Sequence, residues 1–254
     1  MSGPRSGLNF GDITFRFGRL PSTMDFARHL AQLQFPEGTA VIADEQTAGR
    51  GTRGRSWHSA RDKGLYVSFI LRPSPSFLNL VPLTLGLASA EAIYHLSRTN
   101  VQLKWPNDLV FQEKKIGGIL CEAGTSGRQR AFIVTGIGIN LNHGPDDFPP
   151  GISGAATSLF LLTGRYFETE SLFSLLGRSL QFWYNKLKKG LAGTIIDQYE
   201  KKLSFSAGKK LIIRNEDGEI EGLFQGIDRS GGLKLKLGQE VKTFYASEII
   251  KFSS

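Results

Sequence analysis

The spacing of apolar and polar positions changes several times along the chain, and each change predicts an element. Alternation over residues 13–19 predicts a strand. Ser22 then stands where a helix N-cap belongs and Asp25 where a capping-box acid belongs. Phe26, Leu30 and Leu33 follow on one helical face. Residues 40–43 form a short apolar run that predicts a buried strand, leading into a Gly- and Arg-rich loop over 46–64. Residues 65–71 predict the next strand, ended by Arg72-Pro73, and 80–96 are apolar at helical spacing. Strands are then predicted at 101–105, 108–112, 115–123 and 131–141. A Pro/Gly-rich connection covers 148–154. A long amphipathic helix runs from an N-cap at Thr169 to a stop at Gly190, and a shorter helix covers 194–203.

The pattern changes near Ser204. Short strands are predicted at 209–214, 222–227, 233–237, 242–245 and 248–252, with Asp217-Gly218 and Gly231-Gly232 as turns. The expected class is α+β, with residues 1–203 as one domain and 204–254 as a small all-β barrel.

Composition narrows the partners. Hydrophobic residues are 40% of 254, enough for a packed core. The single Cys, Cys121, excludes an internal disulfide and a cysteine-built zinc site, which fits a reducing, cytoplasmic setting. No N-terminal segment reads as a signal peptide. The apolar run near residue 80 is interrupted by Pro82, Thr84, Gly86, Ser89 and Glu91, so no membrane span is expected. The net charge of +8 suits an anionic partner or a solvated basic surface.

The chemistry concentrates in residues 46–57. Gly49, Gly51 and Gly54 match the spacing of a dinucleotide fingerprint. However, Gly54 is followed by Arg55-Ser56-Trp57 with no helical face, so that match is set aside. Glycines let backbone approach a ligand. Arg50, Arg53 and Arg55 would repel one another unless an anion sits among them, and Arg forks suit phosphates and carboxylates. Trp57 offers a face for stacking. Three other clusters join the loop: Lys104-Trp105-Pro106-Asn107-Asp108, Lys115-Ile116-Gly117-Gly118 and Gly136–Asn142. The alternate glycines at 136 and 138 strip one face of a strand, which suits either a ligand on the sheet or a closely packed helix.

Taken in this order, with Ser22-Thr23 ahead of them, these segments resemble the biotin protein ligase family. The resemblance runs from about Phe15 to the end of the chain. It implies a catalytic domain related to class II tRNA synthetases followed by an SH3-like barrel. It also implies biotin and ATP as substrates with Mg²⁺, a biotinyl-AMP intermediate, and transfer to a lysine of a biotin carboxyl carrier protein. On the biotin side it implies Ser22, Thr23, Met24, Gln46, Gly49, Arg50, Gly51, Thr52, Lys115, Gly117 and Gly118. On the ATP side it implies Arg50, Arg53, Arg55, Trp57, Lys104, Asn107, Lys115, Asn140 and Lys251. Lys115, Arg55 and Asp108 would carry the chemistry, with Asp108 orienting Lys115 or holding Mg²⁺. Pro21, Met24 and Thr52 depart from the usual pattern of the family. No sequence-specific DNA contact and no membrane are expected, and a homodimer is compatible. A lipoate ligase shares the fold and the adenylation chemistry but lacks the Gly/Arg loop ending in Trp57. A nucleic-acid module would need more stacking aromatics near the basic residues.

Overall fold

The computed structural model describes residues 8–126, 130–216, 218–245 and 247–252. Strands β1 (Thr14–Phe17), β2 (Ala40–Ala43), β3 (Gly64–Leu71), β4 (Gln102–Lys104), β5 (Asp108–Phe111), β6 (Lys114–Ser126) and β7 (Arg130–Asn140) form one seven-stranded sheet. Its order is β1-β2-β3-β7-β6-β5-β4, with only β1 and β2 parallel. Helix α1 (Thr23–Gln32) covers one face. Helices α2 (Leu80–Ser97), α4 (Thr169–Lys188) and α5 (Ala192–Glu200) cover the other, and a short α3 (Leu159–Thr163) precedes α4. Helix α2 is apolar nearly all round because it is the buried middle element, between the sheet and α4.

Strands β8 (Lys210–Asn215), β9 (Gly218–Ile227), β10 (Leu233–Leu237), β11 (Glu240–Phe244) and β12 (Glu248–Phe252) form a second, antiparallel sheet in the order β11-β10-β9-β8-β12. Its inner residues Leu211, Ile213, Phe224, Leu233, Leu235 and Ile249 belong to the same apolar cluster as Leu83, Leu103 and Trp105. The core is therefore continuous across Ser204, where the sequence changes character.

Several expectations at element ends are corrected. Ser22 precedes α1 with an extended backbone, but its hydroxyl caps nothing. Asp25 pairs with Arg50 instead of closing a capping box. Glu168 occupies the N-cap of α4, so Thr169 is its first helical residue. The helix expected at 194–203 is shifted earlier, and the strand at 101–105 is shorter because Trp105 turns into the core. Asp217 and the side chain of Lys251 lie outside the described residues.

Candidate active site

The floor of the site is set by strand register. Gly138 pairs with Gly118 on one side and Tyr66 on the other, and Gly136 pairs with Leu120 and Ser68. Because side chains alternate, 136, 138 and 140 point to the α1 face. A Cβ on Gly138 would stand 2.4 Å from Trp57 Cε2, and one on Gly136 would stand 2.8 Å from Met24 Sδ. A Cβ on Gly118 would lie 3.1 Å from both Lys115 Cε and Trp57 Cζ3. The bare strip therefore lets one indole and one helix approach the sheet. Gly117 faces the other way, toward Leu109 and Ile139.

The Gly/Arg loop is folded tightly over this strip. Trp57 N–H donates to Gly49 O at 2.8 Å and Gly51 N–H to Arg55 O at 2.7 Å. Arg53 and Gly54 adopt left-handed backbone at φ 58° and 71°. A Cβ on Gly49 would meet Trp57 O at 2.5 Å, so Gly49 serves the packing of the loop itself. The three arginines that would otherwise repel are each matched by a carboxylate. Arg50 reaches Asp25 at 2.9 Å and Glu122 at 3.2 Å. Arg55 reaches Glu248 at 2.7 Å, and Arg53 lies 3.9 Å from the same carboxylate. Arg53 also donates to Arg214 O at 3.1 Å, and Arg55 donates to the Thr52 hydroxyl at 3.1 Å. All three arginine side chains are 38–56% exposed. Exposed pairs of this kind contribute about 1 kcal/mol or less, so a polyphosphate competes with them readily.

At the start of α1, Gln46 Oε1 accepts from the Thr23 amide at 2.9 Å and the Thr23 hydroxyl at 3.1 Å, while its amide donates to Ser59 Oγ at 2.8 Å. Ser22 Oγ and Trp57 Nε1 are buried with no protein partner. An unpaired buried polar atom costs on the order of 1–3 kcal/mol, and Trp57 lines two cavities of the site.

Lys115 Nζ is 2.6 Å from Asp108 Oδ1 and 5.4 Å from the centre of the Trp57 ring. The carboxylate of Asp108 is thus ion-paired with the Lys115 ammonium. Among the described residues, no group of three or more His, Cys, Asp and Glu is placed to hold a metal. Asn107 is fixed by Ile119, whose carbonyl accepts from its amide at 2.8 Å and whose amide donates to its carbonyl at 2.9 Å.

These residues bound two adjoining chambers. The first is lined by Thr23, Met24, Gln46, Arg50, Tyr66 and Gly136. The second is lined by Arg55, His58, Asn140, Phe148 and Ile152. Trp57 and Lys115, with Gly51 and Thr52, line both. Asn140 spends its amide on Thr157 O at 3.0 Å, tying the wall of the second chamber to β7. Lys104, Asn107 and Asp108 line a third groove, which runs between β5 and the second sheet and includes Glu248.

Residues 143–148 were not anticipated as part of the site. His143 is fully buried, stacked on Phe148 at 4.7 Å, with its ring centre 6.0 Å from that of His58. Burial first, then His58, pushes its pKa down to about 4. Lys63 pairs with Asp147 at 2.8 Å and holds that carboxyl below its usual range. No motif marks these residues; the fold brings Phe148 to the wall of the second chamber and stacks His143 on it. Burial pushes the Cys121 thiol up to about 12, which disfavours its thiolate.

Comparison with known proteins agrees with this geometry. Residues 17–140 match the Biotin/lipoate A/B protein ligase family and residues 208–251 match the Biotin protein ligase C terminal domain. The bifunctional ligase/repressor BirA of Bacillus subtilis is 33% identical over 233 residues, covering 91% of this chain and 71% of that protein. The biotin–[acetyl-CoA-carboxylase] ligase of Paracoccus denitrificans is 32% identical over 203 residues, covering 77% of this chain and 83% of that protein. The biotin protein ligase of Aquifex aeolicus, solved with biotin and ATP, superposes with a TM-score of 0.81 at 31% identity, covering 96% of this chain and 98% of that one. The chain belongs to the biotin/lipoate protein ligase family and, within it, to the biotin protein ligases.

Proposed function

We propose that this chain condenses biotin with ATP and then transfers the biotin to a lysine of a carrier protein. The observation that carries the reading is that Lys115 and Trp57 line both chambers. One chamber takes the biotin ring and the other takes the adenylate. Ser22, Thr23, Met24 and Gln46 serve the first, with the backbone of Gly51 and Gly118 beneath. Arg55, Trp57 and Asn140 serve the second. Lys115 meets the carboxylate and the α-phosphate at the junction, where two anions are forced together. A carboxylate oxygen of biotin attacks the α-phosphorus and pyrophosphate leaves. The carrier amine then attacks the biotinyl carbonyl, AMP leaves, and an amide remains. Arg50, Arg53 and Arg55 exchange their carboxylate partners for phosphate oxygens, and Mg²⁺ arrives on ATP.

Residues 1–203 supply catalysis in this reading, and 204–254 form an SH3-like unit that carries Glu248 to Arg53 and Arg55. We assign the chain no sequence-specific DNA contact; it acts in the cytoplasm, and a homodimer is compatible with the reading. No helix of the described residues is long and apolar enough to cross a membrane.

The test is biotin-dependent exchange of labelled pyrophosphate into ATP with Mg²⁺. Exchange that responds to biotin and not to lipoate is expected. Exchange driven by lipoate alone would overturn the reading.

A further inference from the structure

The indole of Trp105 is buried to 2% exposure, and its N–H donates to Gly231 O at 3.1 Å. That acceptor belongs to the tight turn 228–232 between β9 and β10, in the second sheet. Asp228 builds the turn. Its Oδ1 accepts from the Ser230 and Gly232 amides at 2.9 and 2.8 Å, and its Oδ2 accepts from the Tyr245 hydroxyl at 2.6 Å. Backbone bonds from Asp228 N–H to Gly232 O and from Gly231 N–H to Asp228 O close it. Gly231 has φ +89°, and a Cβ there would meet Asn79 O at 2.9 Å, so the turn is wedged against the start of α2. Its carbonyl direction is fixed from three sides.

From Trp105 the path to the chemistry is short. Asn107 is clamped to Ile119 through two hydrogen bonds, and Asp108 holds Lys115 Nζ at 2.6 Å. A side chain three positions away from Asp108 is thus anchored on the other sheet. We propose that Asp228 is a positioning residue for adenylation: it orients the Gly231 carbonyl that fixes Trp105, and through Asp108 it sets where Lys115 stands. This rests on the reading that Lys115 acts in adenylate formation. The second sheet then contributes to catalysis from a point that touches neither substrate.

The experiment is single-turnover formation of biotinyl-AMP by the full chain, with rate and substrate dependence measured separately. The proteins are the parent, Asp228→Asn, Tyr245→Phe and Lys115→Ala, with each of the first two substitutions also combined with Lys115→Ala. Thermal midpoints confirm that each variant is folded. Asp228→Asn is expected to lower the adenylation rate about tenfold and Tyr245→Phe about twofold, with KM for biotin and ATP nearly unchanged, the scale of one impaired hydrogen bond. Lys115→Ala alone is expected to lose about 100- to 1,000-fold, and neither substitution should slow it further. Tyr245 is 45% exposed, so Tyr245→Phe tests the idea even where Asp228→Asn folds poorly. A folded Asp228→Asn or Tyr245→Phe variant with the parent's rate overturns the proposal. Equal slowing in the Lys115→Ala background also overturns it, because Asp228 would then not act through Lys115. A Lys115→Ala variant as fast as the parent overturns the underlying reading as well.

Discussion

The two faces of β7 hold different things. Toward α2 and α4 it places Ile133, Ile137 and Ile139, all buried within one apolar cluster. Toward α1 and the arginine loop it places Gly136, Gly138 and Asn140, whose neighbours are Met24, Trp57 and Thr157. One strand therefore serves both the stability of the sheet and the shape of the site, and its period of two keeps the tasks apart. The core face is filled by volume. The site face is emptied of it, so that a ring and an indole can lie on the backbone. Substitutions on the two faces should consequently fail in different assays.

The largest expected effect lies on the core face. Ile137→Ala should cost about 2–5 kcal/mol of folding stability, the range for a truncated buried aliphatic. The measurement is chemical denaturation, and the fraction still folded should retain its affinity for ATP, whose chamber Ile137 does not line. Loss of ligand affinity without loss of stability would erase the distinction between faces.

Just past the end of β7, His143 is a buried titratable ring. The folded pKa of His143 lies below the unfolded value, near 4 against about 6.5, so the unfolded chain binds the extra proton first. Stability is therefore full above about pH 6.5 and falls as pH drops toward 4, by roughly 2–3 kcal/mol from this group. Asp147, whose carboxyl is held low by Lys63, adds a loss in the same direction at still lower pH. Denaturation midpoints across pH 4–7, parent against His143→Phe, check it. An equal slope in both would remove His143 from the account.

Gly138→Ala should show the reverse of Ile137→Ala. Its methyl would meet the Trp57 ring, which can shift, so stability should change by only about 1 kcal/mol. ATP affinity should fall about tenfold, read by isothermal titration. Unchanged affinity would mean that the indole lies elsewhere when ATP binds.

The smallest effect concerns Thr52. Its hydroxyl accepts from Arg55 at 3.1 Å. Thr52→Arg should slow release of biotinyl-AMP several-fold, about 1 kcal/mol for one partly exposed charged contact. Off-rates at matched ionic strength test it, and faster release from the variant would show that the existing arginines already close the loop.

What the sequence by itself determined is local and periodic. Alternation marked β1, strand-like runs marked β3, β6 and β7, helical spacing marked α2 and α4, and the clustering of Arg50, Arg53, Arg55 and Trp57 marked the loop that carries the chemistry. Such signals survive without neighbours, because period and backbone permissiveness are properties of a few adjacent residues. The tertiary structure decided the rest. It supplied Asp25, Glu122 and Glu248 as the anions among the arginines and turned Gly118 toward the site and Gly117 away from it. It also buried His143 against Phe148 and joined the core of the second sheet to that of the first. Apart from the His143–Phe148 stack, these depend on residues far apart in sequence meeting in space, and register and packing fix those meetings rather than any local pattern.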